Sequence, residues 1–246
     1  MESHDRAARP AFYALASGGW RDLVTLLHPP YTAWHLSYVA LGAAAAPSVH
    51  ADRLGAALAA FFLGVGVCAH ALDELKGRPL RTRLSDRALV VLAAAGLVGA
   101  VAIGVAGARI VSVSLVPFVA AGAFIVLAYN LELFGGRFHS DLWFALAWGA
   151  FPALTSFWAN ALSITFPGVA MAAGCFGLSL AQRRLSTPVR ELRRRTLSVQ
   201  GRQVLTDGET RELNAATVAA PLDGALRAMS MALVLVAAAA VGVRLT

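Results

Sequence analysis

Long apolar runs separated by short polar segments dominate the hydrophobic pattern of this chain. Seven such runs cover roughly residues 31–47, 53–72, 88–107, 110–131, 142–162, 166–182 and 222–243. Because a helix needs about 20 apolar residues to cross a bilayer, the pattern predicts an all-α polytopic bundle of about seven transmembrane helices. We expect a single membrane domain over residues 1–246, with an interfacial lead-in at 1–30 and a cytoplasmic loop at 183–221.

The composition supports a membrane protein and argues against a nucleic-acid-binding one. Hydrophobic residues make up 58% of the 246 residues and charged residues 14%, whereas about 25% are charged in soluble domains. The net charge of +7 comes from basic residues between the apolar runs, a pattern that indicates membrane orientation. Most of these residues fall on one side of the alternating loops, which predicts a multi-pass protein of the cell membrane with a cytoplasmic amino terminus.

The second apolar run ends in a stretch that combines carboxylates, a histidine and basic residues. On a helix, His70, Asp73 and Glu74 share a face, at a membrane rim where ionisable groups are costly unless they meet water, a metal or one another. A basic loop begins at Lys76. Carboxylates beside such a loop could hold a divalent ion and a phosphate-bearing substrate. The alternative is an ordinary helix end followed by a loop that sets orientation.

Two further segments carry candidate chemistry on the same predicted side. AYNLELFGGRFHSD, at residues 128–141, holds more polar side chains than a connecting turn requires, which favours a contribution to the same site. The alternative is that Glu132 pairs with Arg137 while Asp141 caps the next helix. QRRLSTPVRELRRR, at residues 182–195, would form an amphipathic helix on anionic lipids or an anion-binding surface. In the first run, His35 lies in an aromatic stripe that serves either helix packing or substrate contact.

These segments resemble the UbiA superfamily of intramembrane prenyltransferases. RDLVTLLHPPYTAWHLSYVALGAAAA is similar to the first span and its lead-in, and HALDELKGRPLRTRLS stands in place of the first aspartate-rich motif. AYNLELFGGRFHSDLWFALAWGAFP is similar to the loop and fifth span that follow. The resemblance covers about residues 22–160. The family normally has nine spans and a second aspartate-rich motif after span six, where this chain has Glu191 as the only carboxylate of LSTPVRELRRR.

The resemblance implies an enzyme that uses Mg²⁺ to hold an isoprenoid diphosphate, ionises it to an allylic cation and transfers or cyclises the prenyl group. It implies that Asp73 is a Mg²⁺ ligand, that Glu74 is a substitute carboxylate and that Tyr129 lies near the cation. The predicted substrate-binding residues are His35, Arg78, Arg81, Asn130 and Arg137. The predicted metal ligands are His70, Asp73, Glu74, Glu132, His139 and Asp141.

Two alternative functions remain open on the sequence. The histidines and carboxylates of this set would suit iron or zinc better than Mg²⁺, which would make the chain a membrane oxidase or hydrolase acting on a lipid. A non-catalytic lipid-binding or transport protein is the other alternative. All three functions imply a membrane lipid as partner, and the sequence leaves the identity of that lipid and the oligomeric state open.

Overall fold

Every apolar run of the sequence overlaps a helix in the structure, a computed structural model that describes residues 10–246. Eight helices occur in these residues: α1 (Trp20–Leu26), α2 (Pro29–Ala44), α3 (Ala51–Leu75), α4 (Asp86–Ile110), α5 (Val116–Asn130), α6 (Asp141–Ala161), α7 (Phe166–Arg194) and α8 (Ala215–Leu245). A 3₁₀ turn, Val113–Leu115, precedes α5. The predicted all-α, membrane-type architecture is confirmed at this level.

Five of these helices are long and apolar enough to cross a bilayer: α3, α4, α5 with its 3₁₀ turn, α6 and α8. The predicted number of seven is not confirmed by length and composition, because α2 has 16 residues and α7 is charged through its second half. The predicted loop at 183–221 is also shorter than expected. The helix α7 continues past residue 182 to Arg194, and α8 begins at Ala215.

Two of the membrane-type helices contain a π-helical segment, Phe62–Ala69 in α3 and Leu146–Ala150 in α6. Such segments change the register of a helix locally and often occur at functional sites. The segment in α6 packs closely on α7, since a Cβ atom placed on Gly149 would lie 2.7 Å from the Cys175 carbonyl oxygen. Small residues of this kind let membrane helices approach one another. The π segment of α6 is therefore a point of close contact between α6 and α7.

The hydrophobic core consists of two main clusters that meet at α6. One cluster joins α3, α4, α5 and α6 and includes Val65 and Trp148. The other joins α2, α6, α7 and α8 and includes Trp34, Tyr38 and Ala153. Trp34 and Tyr38 are fully buried, so much of the aromatic stripe predicted in the first run serves packing.

A buried carboxylate organises the loop between α3 and α4. Glu74 is 1% exposed and accepts hydrogen bonds from the backbone N–H groups of Leu80 and Thr82 and from the Thr82 hydroxyl, each at 2.9 Å. Asp22 of α1 accepts a further bond from the Arg83 N–H at 3.1 Å. The basic loop is therefore a folded element that is fixed to both α1 and α3.

The segment between α7 and α8 forms an exposed antiparallel hairpin of β1 (Gly201–Val204) and β2 (Thr210–Leu213). The sequence predicts only a loop over this segment, as part of residues 183–221, because neither strand has an apolar face that would mark it. After β2, the Asn214 side chain accepts from the N–H groups of Ala216 and Thr217 and so caps α8. The cap explains why α8 begins earlier than its apolar run.

Candidate functional site

A polar cavity of about 280 Å³ lies at one end of the bundle. It is enclosed by residues 10–13, the starts of α2, α6 and α8, the ends of α3 and α5, and the second half of α7. These are the helix ends that the sequence predicts on the cytoplasmic side. Residues of both polar stretches line this one cavity, among them Asp73 from the first and Tyr129 from the second.

An apolar cavity of about 160 Å³ lies beside the polar one, between α3, α4, α5 and α6. The two cavities share Val65 and Trp148 as lining residues. Both residues belong to the π segments of α3 and α6. The apolar cavity extends from this shared wall as far as Arg53, near the opposite ends of the helices.

Half of the predicted site residues line the polar cavity: His35, His70, Asp73, Tyr129, Asn130 and His139. The other half are absent from its lining: Glu74, Arg78, Arg81, Glu132, Arg137 and Asp141. Sequence proximity to the acidic motif therefore does not identify the residues that face the cavity.

Most of the predicted residues outside the cavity have another role in the structure. The oxygens of Glu74 hold the loop, Glu132 forms an exposed ion pair with Lys76 at 2.6 Å, and Arg78 forms an ion pair with Asp86. The structure places Arg81 and Arg137 on the exposed surface. The prediction that Arg78, Arg81 and Arg137 face a diphosphate is thus not supported by their positions.

Asp141 has neither of the two roles predicted for it, which were metal ligand and cap of the next helix. The hydroxyl of Ser140, not Asp141, caps α6 by accepting from the Trp143 N–H at 3.3 Å. Asp141 accepts instead from Arg183 Nε at 2.7 Å, and so it positions an arginine of the cavity from outside. Asn130 lines the cavity, but its side-chain N–H donates to the Val126 carbonyl at 2.7 Å.

His28, between α1 and α2, forms an imidazole wall together with His70. The two rings stack with centroids 4.0 Å apart and 10° between their planes, and His28 Nδ1 lies 2.9 Å from the Tyr13 hydroxyl. Burial, with His70 and Arg194 nearby, lowers the pKa of His28 well below its ordinary value, so this ring is neutral at pH 7. Burial also raises the pKa of the Tyr13 hydroxyl well above its usual range, so Tyr13 stays a neutral phenol.

An aromatic wall borders the junction of the two cavities. His35 Nδ1 donates to the Trp148 carbonyl, in the π segment of α6, at 2.8 Å. The Tyr129 ring stacks on His139 with centroids 4.5 Å apart and meets the Trp148 ring edge-on at 5.6 Å. Aromatic faces of this kind can stabilise a positive charge.

The basic wall of the cavity comes from α7, with Arg183, Arg190, Arg193 and Arg194. Arg183 is held by Asp141, and its guanidinium lies 5.1 Å from the centre of the Phe144 ring. Arg193 is paired with Asp223 of α8. The sequence predicts residues 182–195 to be a lipid-binding helix or an anion-binding surface but assigns none of these arginines to the site. The spacing of Arg183, Arg190 and Arg194 on one helical face is a signal that could have done so.

Four side chains of the lining carry a buried polar atom that has no hydrogen-bond partner among residues 10–246: His28 Nε2, Gln182 Oε1, Arg194 Nε and Asp223 Oδ1. Buried polar groups in proteins nearly always have a partner, either in the protein or in a bound molecule or water. The protein therefore leaves part of this lining unsatisfied, and a bound polar molecule or water would complete it.

The donor set of the cavity does not fit the Mg²⁺–diphosphate site that the resemblance implies. In the described part of the chain, no group of three or more His, Cys, Asp or Glu residues is placed to hold a metal ion. Of the two carboxylates in the lining, Asp223 is paired with Arg193, which leaves Asp73 as the carboxylate not committed to an arginine. The predicted ligands Glu74, Glu132 and Asp141 are engaged elsewhere.

No protein-family model, curated protein or solved structure matches this chain.

Proposed function

We propose that the protein is an intramembrane enzyme that acts on an isoprenoid diphosphate, with the headgroup in the polar cavity and the chain in the apolar cavity. The observation that carries this proposal is the wall of Val65 and Trp148 that the two cavities share. An amphiphile with an anionic head would place its head on one side of this wall and its chain on the other. Guanidinium groups suit phosphate oxygens because their planar fork donates two parallel hydrogen bonds.

The arrangement also suits ionisation of an allylic diphosphate. The C–O bond to the diphosphate breaks, both electrons leave with the diphosphate, and the arginines of α7 stabilise the charge that develops on it. The cation forms at the junction, beside Tyr129 and Trp148. An acceptor then captures it and loses a proton, or a double bond of the same chain closes a ring and the resulting cation loses a proton from a neighbouring carbon.

The proposal includes a UbiA-like arrangement in the cell membrane, in which α2 and α7 complete seven crossings and the amino terminus is cytoplasmic. The distribution of basic residues supports this orientation. It puts the polar cavity at the cytoplasmic rim, where water-soluble acceptors and released diphosphate have access.

Farnesyl diphosphate is a suitable probe for the purified protein in detergent. We expect it to raise the unfolding temperature, with farnesol giving a much smaller shift, because a ligand that binds only the folded state stabilises it. Release of diphosphate in the presence of a membrane lipid extract would demonstrate turnover. Arg190→Gln should weaken both effects, and Arg184→Gln, at an exposed position of the same helix, is the matched control.

Two other results would change the proposal. Binding of farnesyl diphosphate without any consumption, with or without lipid extract, would favour a non-catalytic lipid-binding protein. Equal stabilisation by farnesol and farnesyl diphosphate would contradict the headgroup assignment. No observation in the described residues favours the iron or zinc enzyme that the histidines suggest.

A further inference from the structure

The arginines of α7 are directed into the cavity by helical geometry. Arg183, Arg190 and Arg194 are separated by seven and four residues, so they share a face of the helix, and all three line the cavity. Arg184 and Arg195 lie off this face and are exposed. The basic wall is therefore a selected set of arginines and not a uniformly basic helix end.

Two of the cavity arginines have no carboxylate within ion-pair distance in the part of the chain that the structure describes. Arg190 and Arg194 form no ion pair there. Arg190 donates to the Thr187 hydroxyl at 2.9 Å, and Arg194 Nε is buried without a partner. Asp73 lines the same cavity and interacts electrostatically with both arginines, but it forms an ion pair with neither. A partly buried cation with no anion at ion-pair distance is costly, so these two arginines favour an anionic guest.

His28 supplies a second donor to the same space. Its side chain is 9% exposed, and Nε2 has no partner among residues 10–246. When the Tyr13 hydroxyl donates to Nδ1, the ring proton resides on Nε2, and this neutral N–H group then has no acceptor among residues 10–246. Gln182 Oε1 and Asp223 Oδ1 are acceptors and suit a hydroxyl of the guest or a water.

We propose that Arg190, Arg194 and His28 bind the phosphate headgroup directly, without a divalent cation between protein and phosphate. The identity of the headgroup as a diphosphate rests on the function proposed above, but the anion site does not. Mg²⁺ sites on phosphates use carboxylates that attract the ion. In this cavity four guanidinium groups outnumber the two carboxylates Asp73 and Asp223, and Asp223 is already paired with Arg193.

Inorganic pyrophosphate tests the anion site without a lipid chain. We expect it to bind the full-length protein in detergent with EDTA present, measured by calorimetry, and added MgCl₂ should not tighten the binding. Arg190→Gln and Arg194→Gln should each weaken binding about 10- to 100-fold, the usual effect of losing a charge-assisted hydrogen bond. Arg184→Gln and Arg195→Gln are the controls and should leave the affinity unchanged.

A second measurement separates a binding role from a structural one. Removal of a buried, unpaired charge relieves an unfavourable interaction, so without ligand Arg194→Gln should unfold at the same or a higher temperature than the natural protein. A structural arginine would give the opposite shift. Arg190→Lys, which keeps the charge but loses the planar fork, should bind pyrophosphate more weakly than the natural protein and more tightly than Arg190→Gln.

The outcomes distinguish this inference from the proposed function. If pyrophosphate binds only with Mg²⁺, or if the control variants weaken binding as much as Arg190→Gln, the direct site is wrong. Turnover of farnesyl diphosphate that requires Mg²⁺ would keep the enzyme and overturn the metal-free headgroup site. Pyrophosphate binding in EDTA, with farnesyl diphosphate bound no more tightly than pyrophosphate, would keep the site and overturn the isoprenoid substrate.

Discussion

Glu74→Gln tests whether the second carboxylate of the acidic motif holds the loop or takes part in chemistry. Glu74 accepts three hydrogen bonds through two oxygens. A glutamine retains one oxygen, so its best orientation serves both donors of Thr82 and turns its NH₂ group toward the Leu80 N–H. The change therefore removes one charge-assisted hydrogen bond and leaves one buried N–H unpaired, at a cost of about 2 to 4 kcal/mol.

For a protein of this size the cost corresponds to a fall in unfolding temperature of roughly 5 to 15 °C. Tryptophan fluorescence during heating in detergent measures it, and Glu191→Gln, at an exposed position, should leave the temperature unchanged. Because Glu74 is outside the cavity lining, farnesyl diphosphate should bind the folded variant normally. An unchanged unfolding temperature combined with lost binding would refute this reasoning and restore the catalytic role that the resemblance implies.

Three further substitutions test packing, charge and titration. Gly149→Ala should lower the unfolding temperature, because the added Cβ would lie 2.7 Å from a carbonyl oxygen of α7 and overpacking costs about 1 to 3 kcal/mol. Gly174→Ala is the control, since a Cβ at that position would meet nothing within 4 Å. Equal losses of stability in the two variants would contradict the contact. Asp223→Asn should destabilise the protein by about 3 to 5 kcal/mol, because it leaves Arg193 unpaired. The same change should tighten pyrophosphate binding, because it removes a negative charge from the cavity lining. Weaker binding would be evidence against an anion guest. The pKa of His28 in the folded state lies below its ordinary value near 6.5, so the unfolded chain takes up the proton first as the pH falls. The stability linked to this group is therefore present above pH 6.5 and is lost as the pH falls below that value. Asparagine suits the left-handed backbone of this position, at φ 45. His28→Asn should therefore lose less stability between pH 7 and pH 5 than the natural protein, as measured by unfolding temperatures. An equal loss would exclude His28 as the source of the pH dependence.

The helices could be predicted because each apolar run is long and its ends are marked by polar residues. The cavity could be located for a similar reason, since alternating helices bring the ends of α3 and α5 to one side of the bundle. The role of neighbouring residues could not. Asp73 and Glu74 are adjacent and of the same charge type, yet Asp73 lines the cavity while Glu74 binds backbone N–H groups of the following loop, a choice that depends on the fold of that loop.

The sequence predicts the basic partners of the headgroup in the loop after α3, whereas the arginines that line the cavity belong to α7. Arg78 and Arg81 follow the acidic motif in sequence, but α3 ends at Leu75, before both of them, and neither lines the cavity. The arginines that line it come from α7, where helix formation continues past the apolar run to Arg194. His28 was missed because its role depends on contacts with Tyr13 and His70 that no local pattern indicates.

The cavity gathers groups that make the unliganded fold less stable. His28 has a left-handed backbone, which is unfavourable for residues other than glycine, and four buried polar atoms of the lining lack a partner within residues 10–246. Each unsatisfied polar atom costs about 1 to 3 kcal/mol unless a bound molecule or water satisfies it. A guest whose phosphate oxygens meet Arg194 and His28 would recover part of this free energy, so ligand affinity and the low stability of the free cavity have the same origin. Substitutions that fill the cavity with apolar side chains should therefore stabilise the fold and abolish anion binding together.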